Sequence, residues 1–176
     1  MTKEEKDRVN KCVKQIAHGD INAFDDLYNT MHDVLFCFLK IYESDYDKIN
    51  DIINDTFKIV IDKASEKMFF VNCSSWIIQI AKMVRLNYNK KRVDYVVVDE
   101  LPENIMMTMP QDDTVLDLKE SIKLLPKRDQ QILYLVYYCH LKYKEVQVIL
   151  NISKSTVDRS IKYSLSFIKE KLHEEQ

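Results

Sequence analysis

Apolar positions at Phe24, Leu27, Tyr28, Met31, Val34, Leu35 and Phe38 recur every three or four residues, the spacing of one helix face. A second stripe runs through Ile49, Ile52, Ile53, Phe57, Val60 and Ile61. A third runs through Cys73, Trp76, Ile77, Ile80, Ala81, Val84 and Tyr88. Asp20, just after Gly19, is expected to cap the first helix, and Asn72 or Ser74 the third. Three amphipathic helices on short connections can bury their stripes only against one another, which predicts a bundle. A shorter helix before Gly19 is expected to pack on it.

The periodicity stops near Arg92. Val93 to Pro110 is acidic and Met-rich, with two prolines and the run Val96-Val97-Val98, and reads as an extended linker. Helical signals resume near Val115. Pro126 is placed for the first turn of a helix reaching about Cys139, with Ile132, Leu133, Leu135 and Val136 inward. A short helix follows from about Lys142 to Leu150, and a last one from about Lys154 to Leu172. Between these two, Asn151 can take the left-handed conformation, Ile152 can plug the core and Ser153 can cap the next helix. That is the grammar of a helix-turn-helix. The expected fold is all-α: an N-terminal helical bundle (1–93), an acidic flexible linker (94–117) and a C-terminal helix-turn-helix domain (118–176).

Composition narrows the function. The 176 residues contain one glycine, so no phosphate-binding glycine loop and no nucleophile elbow can form, and tight β-hairpins are disfavoured. Cys12, Cys37, Cys73 and Cys139 are widely spaced among apolar neighbours, as buried reduced thiols are. The charged stretch Met1–Arg8 is no secretory signal, and the longest uncharged run, the 14 residues Met68–Ala81, is too short and polar to span a bilayer. A cytoplasmic protein without membrane insertion is expected. Net charge is −2, but unevenly spread: +1 over residues 1–93, −7 over 94–117 and +4 over 118–176.

Two polar patches are candidates for nucleic acid. On a wheel of the last helix, Val157, Ile161, Ser164, Leu165, Ile168 and Leu172 share one side. Ser155, Arg159, Lys162, Tyr163 and Ser166 share the other, where they could reach phosphates and base edges. Two bases beside Asp158 are a sparse footprint, so on the wheel alone a plain solvated face is the first reading. The second patch crowds Lys82, Arg85, Lys90, Lys91 and Arg92 into eleven residues, with Tyr88 and Asn89 among them. Lys82, Arg85 and Asn89 fall opposite the apolar stripe. Basic residues at a helix end also suit its dipole, so capping is the alternative.

Four segments in order resemble the extracytoplasmic-function type of bacterial sigma factor, the small kind that keeps the second and fourth conserved regions. Gly19-Asp20-Ile21-Asn22-Ala23-Phe24-Asp25-Asp26-Leu27-Tyr28 resembles the family's opening GD..AF..LY. Asp51-Ile52-Ile53-Asn54-Asp55-Thr56-Phe57 is similar to the motif that faces the polymerase clamp, Trp76-Ile77-Ile78-Gln79-Ile80-Ala81-Lys82 to WL..IAR, and Leu124–Leu133 to the start of region four. The family often has Gly where this chain has His140 and Asn151, and Gln where it has Asn54. Its recognition helix is usually more basic than Thr156–Tyr163.

The resemblance implies a sigma factor that binds core RNA polymerase, recognises promoter DNA and helps initiate transcription, with no catalytic residue, cofactor or metal of its own. It implies polymerase contacts at Asp51, Asn54, Asp55 and Lys58. It implies DNA contacts at Lys82, Arg85, Asn89, Lys90, Lys91 and Arg92, and at Ser155, Thr156, Arg159, Lys162 and Tyr163. The loop 65–75, with Phe69 and Phe70, would hold the non-template strand. It also leaves room for an anti-sigma partner, and sends the acidic linker through the polymerase's RNA-exit path. Two other readings stay open: a helix-turn-helix regulator without a polymerase partner, expected to dimerise on a palindrome, and a helical interaction module. An enzyme is least supported, because His18, His32, His140 and His173 are scattered and the acidic stretch has neither His nor Cys for a metal.

Overall fold

The structure is a computed structural model describing residues 1–66, 72–91 and 113–174. The chain divides into two units, Met1–Val98 and Asp99–Gln176. Regular elements among the described residues are all helical. Arg92, Phe69, Phe70 and the acidic stretch 94–112 lie outside the described residues.

The first unit holds α1 (Lys3–Ala17), α2 (Ala23–Lys40), α3 (Tyr46–Lys63) and α4 (Cys73–Lys91), packed as a bundle. Three of these helices start where a side chain takes up free amides. Thr2 and Glu5 form a reciprocal capping box on α1, with bonds of 3.1 and 2.7 Å. Asp45 accepts the amides of Asp47 and Lys48 on α3. On α4, Asn72 accepts from Ser74 and Ser75, so of the two expected caps it is Asn72 that serves. Asn10 of α1 adds a further bond there, accepting the Cys73 amide at 2.8 Å.

Contrary to the expectation from the sequence, Asp20 does not cap α2. Gly19 follows α1 at φ +90°, and Asp20 spans the turn, accepting the Asn22 amide at 3.2 Å; α2 begins three residues later. A turn that already engages the Asp20 carboxylate keeps it from the first amides of the helix. Leu27, Leu35, Phe38, Ile52, Ile53 and Ile77 are fully buried between the helices, as their stripes required. Trp76, expected inward, is only half-buried, and Ile78 takes a core position instead.

The second unit holds α5 (Asp113–Lys123), α6 (Lys127–Leu133), α7 (Tyr143–Leu150) and α8 (Lys154–Glu174), with α8 packed on the other three. Helix α5 starts two residues before the expected Val115 and takes in 113–117, the end of the expected linker. Pro126 stands just before the first turn of α6, its carbonyl accepting the Asp129 and Gln130 amides. Helix α6 then widens into a π turn, Tyr134–Tyr138, closed by the Cys139 amide on the Tyr134 carbonyl. Tyr134 is buried and Val136 only half-buried, the reverse of a straight wheel. Leu125, Leu133 and Ile168 form a core at one end; Val146, Ile149 and Val157 are buried under the helix-turn-helix. Asp129, 4% exposed, accepts a hydrogen bond from the Ser160 hydroxyl, which pins α6 to α8.

Candidate functional site

Three surfaces carry the candidate residues. On α3, Asp51 and Asn54 are exposed, Asp55 is half-buried and Lys58 reaches into solvent. Lys58 Nζ lies 2.9 Å from Asp55 Oδ1, and that hydrogen bond and charge hold its ammonium above the usual lysine range. The other Asp55 oxygen accepts the Tyr88 hydroxyl of α4 at 2.6 Å. Chiefly through this bond, with burial and the charges of Asp55 and Asp51 adding to it, the Tyr88 phenol is pushed up to about 12. Between α3 and α4 lies an open cleft of about 750 Å³, edged by four carboxylates, Asp45, Asp47, Asp51 and Asp55, and by the two cations Lys48 and Lys58. The face is acidic and suits a basic partner.

On α4, the geometry departs from the wheel. Lys82 is half-buried, and desolvation, with Arg85 nearby, lowers its ammonium pKa. Arg85 leaves only 13% of its side chain exposed. Its guanidinium lies over the Tyr42 ring, and Nη1 is 3.8 Å from Glu43 Oε1. Glu43, in the turn between α2 and α3, also takes Lys48 Nζ at 2.5 Å. Arg85 is thus turned into the bundle rather than out toward a nucleic acid, and burial lowers its pKa. Asn89, Lys90 and Lys91 occupy the last turn of α4. No sequence pattern pointed to Glu43 or Tyr42, since only the fold brings them under α4.

On α8, Ser155, Arg159, Lys162 and Tyr163 are exposed together and Thr156 is half-buried. Val157, Ser160, Ile161 and Ser164 line the opposite, buried side. Leu165, expected inward, is 48% exposed, because α5, α6 and α7 pack against the other side of the helix. Asn151 ends α7 in the left-handed conformation, φ 56° and ψ 52°, as its chemistry allowed. Ser153 Oγ accepts the Thr156 amide and bonds the Ser155 and Thr156 hydroxyls, fixing the entry to α8. His140, before α7, is also left-handed, at φ 49°. Both residues stand where the resemblance marks glycines, and the backbone keeps the glycine conformation without the glycine.

A short helix, a left-handed residue and a long helix with an open polar face define a helix-turn-helix DNA-binding domain. Residues 116–166 match the family model Sigma-70, region 4. The chain also covers nearly the full length of two similar solved structures. One is the sigma factor RpoE in complex with the anti-sigma factor NepR, from Bartonella quintana (TM-score 0.65, 16% identity, 85% of this chain and 96% of that one). The other is CnrH in complex with the cytosolic domain of CnrY (TM-score 0.65, 14% identity, 96% and 99%). No match was found among curated protein sequences. The chain shares its fold with these two structures, and its helix-turn-helix lies within the region 4 match. No helix among the described residues is long and apolar enough to cross a membrane.

Proposed function

We propose that this chain is a sigma factor of the extracytoplasmic-function type, which engages core RNA polymerase through Asp51, Asn54, Asp55 and Lys58 of α3, and promoter DNA through two separate surfaces. The proximal surface is the α4 end, with Lys82, Asn89, Lys90, Lys91 and Arg92. The upstream surface is α8, with Ser155, Thr156, Arg159, Lys162 and Tyr163. Arg85 serves by holding α4 on the bundle, since its charge is spent on Tyr42 and Glu43. The acidic segment that begins at Asp94 joins the two units and meets basic surfaces of the polymerase. The protein works in the cytoplasm and carries no chemistry of its own. An anti-sigma factor is a further partner, as RpoE has in NepR.

The observation that carries this reading is the helix-turn-helix with its left-handed Asn151, lying inside the stretch that matches region 4. The test is reconstitution with core RNA polymerase and transcription from a promoter library. Reversing the charge of Asp51 and Asp55 should abolish co-purification with core enzyme while helicity stays intact. Lys82→Ala should weaken promoter binding at every sequence and flatten its salt dependence by about one log–log unit. Full transcription by the charge-reversed protein would overturn the assignment of α3.

A further inference from the structure

Asn10 is half-buried in the middle of α1. Asparagine suits a helix interior poorly, because its short amide competes with the backbone for hydrogen bonds. Here the side chain works across the fold: Oδ1 accepts the Cys73 amide of α4 at 2.8 Å, over a separation of 63 residues. The next two amides, of Ser74 and Ser75, go to Asn72 Oδ1 at 3.1 and 3.3 Å. Two asparagines, one local and one from another helix, thus take the first three donors of α4. Cys73 and Ser74 are buried, so this turn is set into the bundle. A cap from Asn72 alone could swing with the incoming chain, whereas the Asn10 bond fixes the Asn72–Cys73 peptide against α1.

We infer that Asn10 is a positioning residue for single-stranded promoter DNA: by fixing the peptide that enters α4, it sets the direction in which the chain arrives at Asn72. This role rests on the sigma-factor reading, in which the resemblance gives residues 65–75 to the non-template strand. The same bonds define how Asn10 acts. A helix start with open amides can hold a phosphate. The donors of Cys73, Ser74 and Ser75 are already taken, so that task falls to none of them. Asn10 therefore acts by placing the chain and not through charge, and its loss should leave the salt dependence of strand binding as it was.

The test compares wild type, Asn10→Leu and Asn10→Asp, each assembled with core RNA polymerase. Asn10→Leu keeps the bulk without an acceptor, and Asn10→Asp keeps an acceptor oxygen. The probes are a single-stranded oligonucleotide carrying the non-template sequence of a library promoter, and a duplex of its upstream element. For Asn10→Leu, affinity for the oligonucleotide should fall about fivefold or more, with core and duplex affinity within about twofold of wild type. The log–log salt slope of strand binding should not change, where a lost phosphate contact would flatten it by about 0.7. Asn10→Asp should restore the oligonucleotide affinity. Wild-type strand affinity in Asn10→Leu, or a flattened slope, overturns the inference and leaves the sigma-factor reading standing. Equal losses on all three ligands, or no recovery in Asn10→Asp, also overturn it. A wild type that fails to bind core polymerase overturns the sigma-factor reading, and the inference with it. A second measurement needs no variant: by NMR of the free chain, the Cys73 amide should be protected from deuterium exchange although it lies in a first turn. Exchange at the rate of an open helix start overturns the tie to α1.

Discussion

The guanidinium carbon of Arg85 sits 4.2 Å from the centroid of the Tyr42 ring, joining α4 to the turn between α2 and α3. The same group pairs with Glu43, which is 7% exposed and also holds Lys48. Arg85→Ala removes the stacked cation and takes a partner from the buried Glu43 carboxylate, so the first unit should lose about 1–3 kcal/mol, read from the urea midpoint. Arg85→Lys should recover only part of this, because an ammonium cannot stack its plane on the ring. Wild-type stability in both variants would mean that the contact is incidental.

His140 is held at φ 49°, a conformation that costs an L-residue about 1–2 kcal/mol. His140→Gly should therefore stabilise the second unit by about 1 kcal/mol, offset in part by the greater freedom of glycine in the unfolded chain. Asn151→Val, placing a β-branched residue at φ 56°, should destabilise it by at least as much. Thermal unfolding of the full chain measures both. A gain in stability from Asn151→Val would contradict the left-handed cap.

The Ser160 hydroxyl is the donor to buried Asp129. Ser160→Ala strands that carboxyl against a 3.7 Å contact to Arg128 Nε and should cost about 2 kcal/mol. On the proposed assignment of α8 to the upstream element and of α3 to polymerase, the same variant should lower affinity for an upstream-element duplex without altering core binding. An unchanged unfolding midpoint would show that Asp129 finds another donor.

Tyr88 supplies a pH signature. Its folded pKa of about 12 lies above the ordinary value of 10.0, so the protonated phenol is favoured in the folded protein. Its contribution to stability is complete below pH 10 and is lost as pH rises from 10 toward 12. Subtracting the tyrosinate absorbance of Tyr88→Phe from that of wild type should leave one phenol titrating near 12. A difference curve centred at the ordinary 10.0 would mean that the Asp55 bond does not form.

What the chain declares openly is whatever depends on near neighbours in sequence. The α3 stripe, Asn72 as a cap, the Asn151 turn and the polar face of Ser155, Arg159, Lys162 and Tyr163 all follow from spacing within one or two turns. Long-range partners leave no such trace. Arg85 occupies a wheel angle suited to a phosphate contact, and only the fold brings Tyr42 and Glu43, some forty residues earlier, beneath it. Leu165 looked like a core residue because its angle was right, yet the helices that cover α8 pack on its other side. Asp20 satisfied the composition of a cap and went to the turn instead. The acidic face of α3 was legible as a set of residues, but not the Tyr88 bond that ties it to α4.

The widened turn at Tyr134–Tyr138 has a bearing on lineage. A helix that closes a loop on its fifth residue instead of its fourth holds one residue more than the α pitch needs. Deleting one of Val136, Tyr137 or Tyr138 would return this stretch to ordinary pitch, with Ile132 still in the core and the His140 reversal still leading into α7. Sister chains one residue shorter in this helix could therefore present the same recognition helix. Aligning them by position alone would misassign the face of every residue that follows, whereas aligning them on the left-handed residues at His140 and Asn151 would not.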